Sequence, residues 1–92
     1  MKIWNIMNIV FSQTAWEQYT DWIQQDKKTV RKINDLIRDI LRNGPGDGIG
    51  KPEALKHFSA WSRRINLEDR LVYQIDSNQN LLILACKGHY QD

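Results

Sequence analysis

Cleaving a phosphodiester without a metal ion takes three kinds of group. A base removes a proton from the nucleophile, an acid protonates the leaving oxygen, and cations hold the charge that develops on the phosphate. The C-terminal half of this 92-residue chain contains all three. Glu53 stands among Lys51, Lys56 and His57, then come Arg63, Arg64 and Arg70, and His89-Tyr90 closes the last apolar run. Histidine, with an ordinary pKa of about 6.5, is the side chain best suited to exchanging protons near neutrality. RNA carries its own nucleophile in the 2′-OH; DNA does not. Residue types alone leave a plainer alternative open for each position. Glu53 can be an exposed helical carboxylate, Arg63 and Arg64 a solvated strand pair, and His89-Tyr90 an end cap on the core.

Metal-assisted chemistry has fewer candidates. Glu68 and Asp69 adjoin in a turn-like segment without a third carboxylate, and Cys86 with His89 supplies only two of the four ligands of a structural zinc site. Neither a metal nor a cofactor is expected. The segment GPGDGIGKP (44–52) holds four of the five glycines and both prolines, yet it fails the phosphate-loop pattern. Pro45 stands where the first glycine belongs, and Pro52 follows Gly50-Lys51. A flexible connector is the expectation there.

The elements that must carry these residues follow from periodicity. Asn8–Phe11 is a short strand-like run, and Ser12 or Thr14 can cap the helix after it, Thr14 with Glu17 forming a capping box. Ala15, Trp16, Tyr19, Trp22 and Ile23 recur at helical spacing, an apolar face better suited to core packing than to stacking a cofactor. Asp26 can cap a second helix with Val30, Ile33, Ile37, Ile40 and Leu41 turned inward, ending at Asn43-Gly44-Pro45. A short helical turn is expected around 53–57. The period then becomes two, and strands are expected over 61–65, 70–75 and 81–86, joined by short polar turns. This is an α+β layout with two helices packed on an antiparallel sheet.

Composition bounds the partners. Hydrophobic residues at 41% and charged residues at 26% match one ordinary globular domain over residues 1–92. Net charge is +2, but residues 27–43 carry six Lys/Arg against two Asp, which favours a nucleic-acid or acidic-protein partner over an even solvated face only when other features agree. A single cysteine rules out an internal disulfide and fits a reducing cytoplasm. The start, MKIWNIMNIVF, is interrupted by Asn5 and Asn8, so neither a signal peptide nor a membrane span is expected.

Taken in order, KPEALKH (51–57), WSRRI (61–65), EDRLVY (68–73), LLILACKGHY (81–90) and the helical DKKTVRKINDLIRDI (26–40) resemble the Txe/YoeB family of toxin ribonucleases, which have the RelE-like fold. The resemblance implies a toxin of a type II toxin–antitoxin system that cleaves mRNA on the ribosome by 2′-OH attack and inhibits translation. It implies Glu53 as general base, Arg70 as the phosphate-stabilising cation, His89 as general acid and Tyr90 as a residue that positions RNA. Lys51, Lys56, His57, Arg63 and Arg64 are the expected RNA or phosphate contacts. A YefM/Phd-like antitoxin, the ribosome with its mRNA, and a homodimer are the implied partners.

Against the family pattern, Met1–Ile6 reads as an N-terminal extension, the stretch from His57 to Trp61 is shorter, and Gln91-Asp92 follow Tyr90. Two other functions stay open on the same fold: a non-catalytic RelE/ParE-fold toxin that inhibits DNA gyrase, and an antitoxin-binding co-repressor.

Overall fold

Ser12 shows how the N-terminal elements are joined. A computed structural model describes residues 7–56 and 58–88. In it strand β1 (Asn8–Phe11) runs into helix α1 (Gln13–Gln25) through Ser12, whose hydroxyl accepts from Ala15 N at 3.0 Å. The same hydroxyl donates to Leu84 O at 3.0 Å, and Ser12 N donates to Ile83 O at 2.9 Å. Ser12 therefore caps the helix and docks it on the sheet, and Thr14 lies inside α1 where no capping box forms. Asp26 ends α1 and begins α2 (Lys27–Asn43), accepting from Lys28 N and Thr29 N. Hydrogen bonds from the Thr29 hydroxyl and backbone hold the Asp26 carboxyl below its ordinary pKa.

The remaining strands are β2 (Glu53–Ala54), β3 (Trp61–Arg64), β4 (Arg70–Ile75) and β5 (Asn80–Ala85). The sheet order is β1-β5-β4-β3-β2. Pairings among β2 to β5 are antiparallel, as their short turns require, but β1 pairs with β5 in parallel, from Asn8↔Asn80 to Phe11↔Ile83. The α+β class holds, and the sheet is mixed instead of wholly antiparallel. After the two helices β2 runs opposite to β1, and the three antiparallel reversals from β2 to β5 bring β5 in beside β1 in the same direction.

The core lies between the helices and one face of the sheet. Ala15, Ile33, Leu36, Ile37 and Ile40 pack against Leu71, Tyr73, Leu81, Ile83 and Cys86. Leu36 joins the inward stripe, whereas Val30 and Leu41 are only half-buried. On α1 the apolar face divides. Ala15 is buried, Tyr19 and Trp22 pack at its margin, and Trp16 and Ile23 remain exposed.

Two expectations are corrected near the site. Glu53–Ala54 does not coil; it pairs with Ser62 and Trp61, because the edge of β3 offers hydrogen-bond partners to an extended segment leaving Pro52. The glycine-rich stretch is no flexible connector either. Its carbonyls at Gly44, Pro45, Asp47 and Ile49 are all bound by the side chains of Arg63 or Tyr73.

Candidate active site

Strand register decides which predicted residues share a surface. Residues directly opposite one another on antiparallel strands point to the same face. Glu53 lies opposite Ser62, and Arg64 lies opposite Arg70. Alternation along β3 puts Ser62 and Arg64 on one face and Trp61 and Arg63 on the other. Leu71 and Tyr73, on the Arg63 side, enter the core beneath the helices. Glu53, Ser62, Arg64 and Arg70 therefore share the sheet face turned away from the helices.

The geometry on that face is specific. An Arg70 terminal nitrogen lies 3.7 Å from Glu53 Oε2 and 3.5 Å from Ser62 Oγ. The Arg70 side chain is 17% exposed and that of Glu53 68%, so the cation is braced by the sheet while the carboxylate reaches solvent. A planar guanidinium held this way presents a fork that fits phosphate oxygens. Ser62 was not among the residues singled out from sequence; the alternation that turns Arg64 outward turns Ser62 with it.

Arg64 and Lys51 extend the cationic surface. With Lys32, Gly50, Ile65, Asn66 and Leu67 they line an open cleft of about 470 Å³. Lys51 has φ 54°, a left-handed backbone that a side chain other than glycine adopts at a cost. Lys56 lines a different cleft, of about 540 Å³, with Phe58, Trp61 and Ile75 among its walls.

Arg63 must be removed from the candidate phosphate contacts. It is fully buried on the helix side of the sheet, and its guanidinium is committed to Asp39, Tyr73 and the glycine loop. Two adjacent arginines on a strand point oppositely, so only Arg64 of the pair can face a ligand on the open surface.

His57, His89 and Tyr90 lie outside the described residues. The chain leading to His89 is described as far as Gly88, and it is firmly placed. Arg70 N donates to Gly88 O at 3.0 Å, and Gly88 N donates to Asp69 Oδ1 at 2.8 Å. Farther back, Trp22 Nε1 donates to Cys86 O at 2.9 Å, Cys86 N donates to Gln18 Oε1 at 2.7 Å, and Lys87 Nζ sits 5.4 Å from the Trp22 ring centre. The register of β4 against β5 skips Leu84, a bulge of the kind that redirects a strand end. Burial, reinforced by the Asp69 charge, pushes the Cys86 thiol up to about 12, so it stays protonated and is a poor nucleophile or ligand. Among the described residues no three His, Cys, Asp or Glu side chains gather as a metal site.

The described residues form an α+β fold with a braced arginine, a carboxylate and a second arginine on the uncovered face of its sheet. Comparison with known proteins gives the family. Residues 11–90 match the YoeB-like toxin of bacterial type II toxin–antitoxin systems. The chain is 48% identical over 86 residues to Toxin YoeB of Escherichia coli (strain K12), covering 91% of this chain and all of the relative. Two solved structures from Staphylococcus aureus superpose over 91% of this chain and 98% of their own at 51% identity. They are a YoeB dimer, with a TM-score of 0.86, and a YoeB–YefM complex, with a TM-score of 0.83. The chain belongs to the YoeB-like toxins of bacterial type II toxin–antitoxin systems.

Proposed function

We propose that this toxin is a metal-independent endoribonuclease that cleaves mRNA on the ribosome and so stops translation. The observation that carries the proposal is the Arg70–Glu53 pair, 3.7 Å apart on the open sheet face, since it joins a base to the cation that its reaction needs. Glu53 takes the proton from a 2′-OH. The 2′ oxygen then bonds to phosphorus while the bond from phosphorus to the 5′ oxygen breaks. His89 protonates that leaving oxygen, and the product ends in a 2′,3′-cyclic phosphate. Arg70 holds the charge on the phosphate throughout, with Arg64 and Lys51 drawing the flanking backbone onto the same face. Tyr90 positions the RNA. Gly88, the residue before His89, is bonded to the backbone of Arg70 itself, which supports a shared site.

The regulatory partner is a YefM/Phd-like antitoxin, by analogy with the Staphylococcus aureus complex, and the free toxin forms a homodimer as its relative does. Antitoxin segments of this kind fold as they bind and can cover a whole site. The cytoplasm, which holds both ribosomes and mRNA, is the working compartment. Among the described residues no helix is long and apolar enough to cross a membrane.

The test is a cell-free translation reaction with mRNA ends mapped after adding wild type, Glu53→Gln or His89→Ala. New internal ends with the wild type, strongly reduced in both variants, are expected. Intact mRNA with the wild type rejects the nuclease, and inhibition of DNA gyrase supercoiling in its place establishes a non-catalytic toxin.

A further inference from the structure

The approach to Glu53 is held by one buried side chain. Arg63 is fully buried, and all five of its N–H donors are used. Nε donates to Tyr73 Oη at 2.9 Å. One terminal nitrogen donates to Asp39 Oδ2 at 2.6 Å and Ile49 O at 3.0 Å, the other to Gly44 O at 3.0 Å and Asp47 O at 2.7 Å. Tyr73 Oη donates to Pro45 O at 2.6 Å, and Asp39 Oδ2 accepts from Ile49 N at 3.0 Å. The loop from α2 to β2 is thus wrapped around a single guanidinium.

The loop backbone is pressed close. A Cβ at Gly48 would collide with the Asp39 carboxylate, and one at Gly50 would come within 2.7 Å of Leu36 Cδ2. The loop delivers the chain to β2, which has only two residues and too few ladder bonds to set its own place. Arg63 also neighbours Ser62, the register partner of Glu53, and Arg64, whose N–H donates to Gly50 O at 2.7 Å. One residue on the hidden face of β3 therefore ties down both the chain entering β2 and the strand with which β2 pairs.

We propose that Arg63, seated by Tyr73 and Asp39, is a positioning residue for the Glu53 base: it fixes the glycine loop and hence the distance from Glu53 to Arg70 on the opposite face. The proposal rests on Glu53 being the base, and it goes further by assigning that geometry to a residue that touches no substrate. A shift of about 1 Å in a catalytic group is enough to slow chemistry on the order of 10²-fold.

The test is a double-mutant cycle of Tyr73→Phe with Glu53→Gln, read as mRNA cleavage in a reconstituted translation system and accompanied by circular dichroism at the assay temperature. Tyr73→Phe keeps the ring but removes the hydroxyl that joins Arg63 to Pro45. The expected result is a folded variant whose maximal rate falls about 10-fold while the half-saturating concentration stays within about twofold. The loss should largely vanish in the Glu53→Gln background, because both changes act through one group. A wild-type rate for Tyr73→Phe, or a loss of equal size in both backgrounds, overturns the positioning role and leaves the nuclease standing. Absence of cleavage by the wild type, or undiminished cleavage by Glu53→Gln, overturns the base and the positioning role together. Should Tyr73→Phe not fold, Asp39→Asn takes its place in the same cycle with the same outcomes.

Discussion

Arg63 meets Asp39 at 2.6 Å in the interior, the arginine side chain without solvent exposure and the aspartate with 12%. A charge pair so placed is costly to break from one side, because the remaining charge stays buried and unpaired. Asp39→Ala is expected to destabilise the fold by about 3–5 kcal/mol. Urea unfolding measures this, and a loss under about 1 kcal/mol would mean that water or the loop carbonyls already suffice for Arg63.

The same pair sets an acid limb. Burial works to raise the Asp39 pKa, but the Arg63 hydrogen bond, the Ile49 N–H, the Arg63 charge and the Asn43 amide together hold it below the ordinary carboxylate value. A carboxyl lowered on folding contributes stability that is present above its unfolded pKa and lost as pH falls through the folded one. Melting temperature should therefore drop below about pH 4. In Asp39→Asn, which is less stable at neutral pH, that drop should be shallower.

Two glycines with positive φ separate crowding from backbone preference. Gly48 has φ 118° and no room for a Cβ beside Asp39, whereas Gly88 has φ 87° and open space around it. Gly88→Ala should cost about 1–2 kcal/mol from the backbone alone. Gly48→Ala should cost more, since the clamp must also move. Equal values in thermal melts would show that the loop yields freely.

On the open face, Arg70→Lys keeps the charge and loses the fork. mRNA cleavage should fall about 10²-fold while stability changes by less than about 1 kcal/mol, because Glu53, its partner, is largely exposed. Cleavage rate beside urea unfolding makes the comparison. A large loss of stability with unaltered cleavage per folded molecule would identify the pair as structural.

Cys86 is fully buried with a thiol pushed up to about 12. It should resist iodoacetamide at pH 8 in the native protein and react promptly once unfolded. Fast labelling of the folded chain would contradict that environment.

Local signals had much of this architecture in plain view. Asn8–Phe11, Asp26 at the helix junction, Gly44 at the end of α2 and the three later strands were legible because each depends on neighbours in sequence: a cap, a left-handed turn, an alternation of apolar residues. β2 was not legible. A two-residue strand has no periodicity, and only the edge of β3 makes it one. The parallel place of β1 beside β5 was hidden for the same reason, since its partners lie 72 residues away along the chain.

Glu53 and Arg70 were nameable from residue type and from the ordered resemblance of their segments to a known family, while their approach to 3.7 Å is a product of register. Arg63 and Arg64 show the division most plainly. Adjacent and chemically identical, they invite one role, and alternation along a strand guarantees only that they part. Which of the two is buried depends on where Asp39, Tyr73 and the glycine loop converge, and those come from 14 to 24 residues away or from another strand. By itself the sequence determined the elements, the caps and the inventory of chemical groups, because those are short-range properties of the backbone and side chains. Tertiary structure decided which arginine faces the open surface and which holds the loop, because burial and complete hydrogen bonding exist only once distant segments meet.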